Sequence, residues 1–198
     1  MPVAELGEVA LHYETAGEGP PVLVIGGTGG DLRHAPGPFW WPGAERFSLL
    51  AYDHRDQGRS VSRSDLQPTM ADFAGDALAL VDHLGWDRFS VVGISFGGMV
   101  AQELALAAGA RVERLVLAIT SSGGEGSRSY PLHELYARGQ EERAARLVEL
   151  LDTRAAAQPR LAQAIPGARL EVFDGGHGVL LQDPAAWPAI ADFLGAAA

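Results

Sequence analysis

The sequence predicts an α/β fold in which a mostly parallel sheet carries helices on both faces. Short, continuous apolar runs alternate with amphipathic helical stretches over residues 21–119. That order is typical of a parallel sheet built from right-handed crossovers. The chain has 198 residues, and a domain commonly holds about 100–200. Hydrophobic residues make up 47% and charged residues 20% of it, a composition that is ordinary for a globular protein.

The predicted strands begin at 9–15, where apolar and polar residues alternate as in an exposed antiparallel strand. Residues 21–25 differ, because a short β-branched run is typical of a strand buried on both faces of a parallel sheet. Three later runs repeat this second pattern: 47–52, 89–92 and 114–119. A last strand is predicted at 169–173.

The helices are predicted from apolar residues at helical spacing. Residues 72–84 place their apolar side chains on one face, and this helix is expected to stop at Gly85. Residues 99–108 form a second helix, small and apolar where it must pack on the sheet. Beyond a predicted loop at 121–129, further helices are expected at 132–151, 159–165 and 187–194.

The composition excludes several classes of function. The chain has 25 acidic residues, 15 basic residues that are all arginine, and a formal net charge of −10. Nucleic acid is therefore not an expected partner, because phosphate binding leaves a basic footprint. The absence of cysteine excludes disulfides, a thiol nucleophile and thiolate zinc sites. The absence of lysine excludes a P-loop and Schiff-base catalysis.

The sequence also bears on the compartment. Its first residues, MPVAELGEVA, lack the basic segment and long apolar stretch of a secretory signal. No apolar run approaches the roughly 18 residues of a membrane span. The expected compartment is therefore the cytoplasm, with no membrane partner.

Residues 93–97 read G-I-S-F-G, a G-x-S-x-G motif directly after the predicted strand 89–92 and directly before a helix. A nucleophile on such a sharp strand-to-helix turn needs small neighbours that tolerate a strained backbone. This context predicts Ser95 as a nucleophile. The alternative interpretation is a glycine-rich helix start at which Ser95 is only a capping residue.

A serine hydroxyl needs a base within hydrogen-bond reach. Of the six histidines, His177 lies in FDGGHG, just after the predicted last strand. A loop there would carry its imidazole over the carboxyl ends of the strands, where ligands of open α/β sheets bind. We therefore predict His177 as the base, and the alternative is a histidine on a surface loop. His54, in YDHRDQGRS, is ambiguous from the sequence.

Acyl transfer to a serine also needs donors for the developing oxyanion. The backbone N–H of Phe96 follows the nucleophile, and the N–H of Thr28 in GGTGG is the expected partner. Glycines permit a close backbone approach there, although a plain turn is the alternative. The aromatic residues of the following loop would either cover an acyl group or pack the loop onto the core: Phe39, Trp40 and Trp41.

Five segments occur in the order of a known family: IGGTGG at 25–30, YDHRDQGRS at 52–60, VVGISFGGMVAQELA at 91–105, RLVLAIT at 114–120 and IPGARLEVFDGGHGVLLQDP at 165–184. In combination they resemble the α/β-hydrolase family, and more particularly its esterase and haloperoxidase-like branch, which includes aclacinomycin methylesterase-like enzymes. The resemblance implies a serine hydrolase of carboxylic esters or related acyl substrates. It implies a small-molecule partner, no cofactor and no metal. It also implies a mainly structural role for the turn that contains Asp53 and Arg55.

The resemblance further implies one α/β-hydrolase domain over 1–198, with 132–154 as the remnant of a helical cap. Members of the family normally carry a full cap and then a seventh strand ending in an Asp that orients the catalytic histidine. This sequence has no counterpart of that strand or its Asp. The cap is therefore predicted to be reduced or deleted.

The missing acid leaves two functions open. In a serine protease triad, replacing the Asp by Asn lowers turnover by about 10⁴ because the histidine loses its tautomer and orientation. Glu125 is the candidate substitute, since some family members hold their acid after the strand that here covers 114–119. The alternative is a solvated loop acid at 125. The chain is then either a serine hydrolase or an impaired or non-catalytic α/β-hydrolase-like binding domain.

Overall fold

A seven-stranded sheet dominates the part of the chain that the computed structural model describes, which is residues 2–34, 37–122 and 165–196. Its central strands are continuous apolar runs, and their side chains are buried on both faces, as parallel strands require. The strands are β1 Val3–Leu6, β2 Val9–Ala16, β3 Pro21–Ile25, β4 Ser48–Tyr52, β5 Val61–Ser62, β6 Phe89–Ile94 and β7 Val112–Ala118.

The strand order is β1-β2-β4-β3-β6-β7, with β5 paired to β2. The neighbours β4, β3, β6 and β7 are parallel, whereas β1, β2 and β5 add antiparallel pairs. Because β3 lies between β4 and β6, the loops that follow these three strands leave the same edge of the sheet. This arrangement confirms the predicted α/β class.

The described helices are α1 Met70–His83, α2 Phe96–Ala108, α3 Val179–Gln182 and α4 Ala186–Gly195. A capping box starts α1, in which Thr69 and Asp72 bond each other's backbone N–H groups. The helix ends before Gly85, whose φ is +71°, as predicted. Its buried residues, among them Ala77, Leu80 and Val81, pack in the core with the strands.

Several local predictions are corrected. The helix predicted over 99–108 begins three residues earlier, at Phe96, directly after the serine of the motif. The strands Val3–Leu6 and Val61–Ser62 are not predicted from the sequence, and each exists through antiparallel pairing with β2. The short helix Val179–Gln182 is also new.

The prediction of a last strand over 169–173 is wrong, because residues 165–174 form no strand in the structure. Leu170 and Val172 are 46% and 67% exposed, and Arg169 forms an ion pair with Glu171 at 2.8 Å. A strand needs a neighbour for its N–H and C=O groups, and among the described strands the sheet ends at β7. Among the described residues, the pattern at 169–173 is therefore not accompanied by strand pairing.

The chain divides into two compact units. The first unit is Met1–Thr120 with Ile190–Ala198, and it contains the sheet and its core. The second unit is Ser121–Ala189. The predictions for 123–164, including the loop, both helices and the cap remnant at 132–154, lie outside the described residues. None of the described helices is long and apolar enough to cross a membrane.

Candidate active site

The backbone of Ser95 is strained. This residue joins β6 to α2 with φ 54° and ψ −118°, a region that residues with a side chain rarely occupy. Its N–H donates to the carbonyl of Ala118 at 3.0 Å, and its carbonyl accepts from the N–H of Gly98 at 2.9 Å and the hydroxyl of Thr120 at 2.6 Å. These bonds hold the serine in a conformation that it would not adopt by itself.

The helix start gives no support to a purely capping role for Ser95. Its side chain makes no capping hydrogen bond to the first turn of α2, although capping serines accept from the N2 or N3 backbone N–H. Ile119, next to the acceptor Ala118, has a φ of 47°, which is uncommon for a β-branched residue. Strain on both sides of the Ser95 to Ala118 bond is a pattern typical of functional sites.

The surroundings of Gly97 show why the motif needs a glycine two residues after the serine. A Cβ at this position would lie 2.1 Å from the carbonyl oxygen of Ile25 and 2.4 Å from that of Gly26. The first turn of α2 is therefore in contact with the end of β3. This contact brings the loop after β3 to the serine, because a Cβ on Gly27 would lie 3.4 Å from the Cβ of Ser95.

The loop after β3, residues 26–32, contains a tight turn. The N–H of Gly30 donates to the carbonyl of Gly27 at 3.3 Å, and Gly29 has a φ of +73° whereas Thr28 is not at positive φ. A positive φ at the third residue, with the second residue not at positive φ, is typical of a type II turn, which favours glycine there. Because a trans peptide directs its C=O and N–H to opposite sides, the N–H of Thr28 points out of this turn.

Two backbone N–H groups near the strand-to-helix turn and its neighbouring loop are the sequence-predicted oxyanion donors. Within the described parts of the chain, the N–H groups of Thr28 and Phe96 donate no hydrogen bond. Phe96 is the first residue of α2, where an N–H has no partner inside the helix. The structure thus brings Ser95, Phe96 and the loop that contains Thr28 close together, and their role as an oxyanion site stays a prediction.

The turn after β4 binds this loop at three points. The Nε2–H of His54 donates to the carbonyl of Gly26 at 3.0 Å. The side-chain oxygen of Gln57 accepts from the N–H of Gly29 at 2.7 Å. The carboxylate of Asp53 accepts from the N–H of Leu32 at 2.8 Å. The segment YDHRDQGRS is therefore bonded directly to the loop that carries Thr28.

His54 is buried and neutral, which settles its ambiguity in the sequence. It is 2% exposed, and burial lowers its pKa. Its ring makes edge-to-face contacts with Tyr52, Phe73 and Phe96 at centroid distances of 5.1–5.6 Å. Since a carbonyl only accepts, Nε2 must carry the ring proton. His54 serves as a donor to the loop.

An ion pair ties the same turn to α1. Arg55 donates from Nε and Nη2 to the two carboxylate oxygens of Asp76, both at 2.7 Å. Asp76 is 6% exposed, and burial raises its pKa while Arg55 opposes that change. Bidentate pairs of this kind fix geometry as well as charge. The turn after β4 therefore has a rigid base.

The aromatic residues after the 26–32 loop lie in different environments. Trp41 is 2% exposed and packs against Phe47 at a centroid distance of 6.1 Å, so it belongs to the core. Trp40 is 41% exposed. The ring of Phe96 packs on Phe73 at 5.1 Å. For Trp41 the packing interpretation is confirmed.

His177 belongs to the second unit. It lies in a turn just before α3, and partial burial lowers its pKa. The turn is held locally, because the N–H of Gly176 donates to the Gln182 side chain at 2.9 Å and that of Asp174 to Asp183 at 2.8 Å. The pairing of His177 with Ser95 stays a prediction. Glu125 lies outside the described residues.

Gln57 is a site residue that the sequence does not predict. Its bond to Gly29 joins residues 28 positions apart, and no local pattern announces such a contact. A signal did exist, because β3 and β4 are predicted strands of one parallel sheet, and the loops after neighbouring parallel strands share an edge.

Comparison with known proteins places these features in context. A sequence model of the alpha/beta hydrolase fold family matches residues 20–138. The chain is 36% identical over 122 residues to "Putative carbamate hydrolase RutD" of Azorhizobium caulinodans, a match that covers 59% of this chain and 43% of that protein. The chain thus spans less than half of the length of that relative.

Two solved structures are similar in fold. One is Est816, described as an N-acyl homoserine lactone degrading enzyme, with a TM-score of 0.63 and 24% identity over 91% of this chain and 70% of that one. The other is the enol-lactonase from Burkholderia xenovorans LB400, with a TM-score of 0.60 and 23% identity over 99% and 74%. At these identities the likeness concerns the fold alone.

Proposed function

Because the chain belongs to the α/β-hydrolase fold family, we propose that it is a serine hydrolase of carboxylic esters or related acyl substrates. Ser95 is the nucleophile, His177 the general base and then acid, and the N–H groups of Thr28 and Phe96 the oxyanion donors. The observation that carries the proposal is the strained Ser95 backbone between β6 and α2, against which Gly27 of the 26–32 loop lies. The N–H groups of Phe96 and Thr28 have no acceptors among the described residues.

The reaction follows from these roles. The Ser95 oxygen attacks the acyl carbon while His177 takes the hydroxyl proton. The carbonyl oxygen becomes an oxyanion, which the two N–H donors stabilise. The bond to the alcohol then breaks, and the alcohol leaves with the proton from His177. Water, deprotonated by His177, attacks the acyl-enzyme and releases the carboxylic acid and the free serine.

The electrostatics support a basic role for His177. Partial burial lowers the pKa of this histidine, so the neutral imidazole predominates at neutral pH. A general base must be deprotonated to act, and it is most efficient when its pKa lies near the operating pH. Glu125 is the candidate acid that would orient the ring.

The relative from Azorhizobium caulinodans is named as a putative carbamate hydrolase, so the proposed acyl substrates include carbamates as well as carboxylic esters. A carbamate presents a carbonyl carbon bonded to oxygen and nitrogen, which the same attack can reach. The ester and carbamate of one chromogenic alcohol therefore form a suitable substrate pair, since they differ only in the acyl group.

The test is pre-steady-state release of p-nitrophenol from p-nitrophenyl acetate at mildly alkaline pH, with Ser95→Ala as the comparison. The expected result is a burst that approaches one equivalent per chain, and its loss in the variant. Removal of a triad member leaves the oxyanion donors, so the variant should keep a small residual rate. Equal rates for the two proteins would overturn the proposal.

A non-catalytic binding domain is the second candidate. It is favoured by the absence of a strand at residues 165–174, the segment that leads to His177. A fluorophosphonate probe separates the two functions. Stoichiometric labelling at Ser95 supports the hydrolase, whereas no labelling of the folded protein supports the binding domain.

A further inference from the structure

We propose that Gln57 is a positioning residue that sets the oxyanion donor of the 26–32 loop, an inference that rests on the proposed hydrolase function. The carbonyl oxygen of its side chain accepts from the N–H of Gly29 at 2.7 Å. Gly29 directly follows Thr28, whose own N–H is the proposed donor. Gln57 therefore acts on the reacting centre through one backbone hydrogen bond.

The turn at 27–30 has two peptide units with different roles. The peptide between Gly27 and Thr28 carries the proposed donor, and its carbonyl accepts from the N–H of Gly30 at 3.3 Å. The peptide between Thr28 and Gly29 is the central one of the turn. Type I and type II turns share the hydrogen bond between the fourth and first residues and differ mainly in the orientation of this central peptide.

Gln57 selects between these two forms. It binds the N–H of the central peptide, and Gly29 at φ +73° places that peptide in the type II orientation. A flip to type I would turn this N–H away from Gln57 and change φ at Gly29 to a negative value. The flip changes ψ at Thr28, the residue that carries the proposed donor. Loss of the Gln57 bond would therefore leave the turn, and with it the position of the Thr28 N–H, less well fixed.

The neighbouring contacts leave this task to Gln57. His54 binds the carbonyl of Gly26 and Asp53 binds the N–H of Leu32, so they hold the two ends of the loop. Within the described residues, Gln57 supplies the side-chain contact to the turn between these ends. Its own position is supported by its N–H, which donates to the His54 carbonyl at 3.0 Å.

The experiment compares an oxygen ester with its thiono analogue, in which sulfur replaces the carbonyl oxygen. Sulfur is a weak acceptor, so the thiono ester gains little from the oxyanion donors. The ratio of the two kcat values then reports on donor geometry. The variants are Gln57→Met, which replaces the acceptor oxygen by a weakly accepting thioether at similar length, and Gln57→Ala, which has no side-chain acceptor. Gln67→Met is the matched control, because Gln67 is exposed in the loop before α1.

The expected result for Gln57→Met is a fall in kcat on the oxygen ester of up to about 100-fold. Misplacement by about 1 Å costs rates on this order, and complete loss of one donor costs about 10²–10³-fold. KM should change little. The thiono ester should lose much less, so the oxygen-to-sulfur ratio falls. Gln57→Glu keeps an acceptor and should retain the wild-type ratio, because its added charge affects both substrates alike.

Hydrogen exchange at the Gly29 amide provides a readout without turnover. This amide should be protected in the wild type and in Gln57→Glu, and it should exchange faster in Gln57→Met and Gln57→Ala. Unchanged protection in both Gln57→Met and Gln57→Ala would overturn the inference.

The kinetic outcomes separate the inference from the function on which it rests. Wild-type kcat and ratio in Gln57→Met would overturn the inference and leave the hydrolase function standing. A fall in kcat with an unchanged ratio would do the same, because it would indicate a merely structural role. Wild-type protein without Ser95-dependent turnover would overturn both.

Discussion

Replacing Gly97 by alanine tests the packing of the strand-to-helix turn with a single methyl group. The added Cβ would lie 2.1 Å from the Ile25 carbonyl oxygen, whereas ordinary contact begins at 3.4 Å. The two groups must therefore separate by about 1.3 Å, the difference between these values. Both nearest atoms are backbone atoms at the end of β3, so no flexible side chain can absorb the change.

The displacement acts on stability and on rate. Overpacking of this kind costs about 1–3 kcal/mol of the free energy of unfolding, which lowers Tm by about 2–4 °C per kcal/mol for a chain of this size. The same movement shifts Gly26 and Gly27 relative to Ser95. Since misplacement of about 1 Å in a catalytic geometry costs on the order of 10²-fold, kcat/KM for a chromogenic ester should fall by about that factor.

Gly75→Ala is the matched control. Gly75 is an exposed helix position of α1, and a Cβ there would meet no atom within 4 Å. Alanine at such a site should raise stability by about 0.5–1 kcal/mol and leave the rate unchanged. Thermal melting and the rate of fluorophosphonate labelling at Ser95 measure both effects. Wild-type Tm and labelling rate in Gly97→Ala would refute the packing argument.

Three further predictions concern charged groups. The kcat/KM for ester hydrolysis should rise with pH through an apparent pKa below the usual value of histidine, because burial lowers the pKa of His177; a pH–rate profile with its inflection above that value would contradict this role. Arg55→Leu should cost about 3–5 kcal/mol in denaturant unfolding, because it leaves Asp76 charged, buried and unpaired. That loss should be largest at neutral pH and shrink as the pH falls through the raised pKa of Asp76, whose protonated form carries no charge; an equal loss at acid and neutral pH would count against the account. If Glu125 orients His177, Glu125→Gln should lower kcat by about 10⁴, whereas an unchanged kcat would show that this carboxylate is not the acid.

The parts of the fold that the sequence predicted well are those that local patterns encode. The run Pro21–Ile25 is a strand with the predicted bounds, because it is apolar throughout and buried in the sheet. The helix Met70–His83 is predicted from its apolar face and from Gly85, which ends the helix and has a positive φ. The backbone of Ser95 also follows from its immediate neighbours, since the motif lies between a strand and a helix.

The parts that the sequence did not predict depend on distant partners. The strand Val61–Ser62 has only two residues and exists because β2 pairs with it. Residues 169–173 have a strand-like pattern but no strand. The bond of Gln57 to Gly29 and that of His54 to Gly26 span 28 residues each. Predicting such contacts requires knowing which loops meet at the edge of the sheet.

The bonds around Ser95 have a consequence for how this fold can vary. Every hydrogen bond described above for the Ser95 backbone and the 26–32 loop comes from residues up to Thr120. These bonds at the proposed nucleophile and in the loop of a proposed donor therefore lie within one contiguous stretch of the sequence. Chimaeras that exchange the segments after Thr120 are expected to keep this set of bonds, which hydrogen exchange at the Ser95 and Gly29 amides would report.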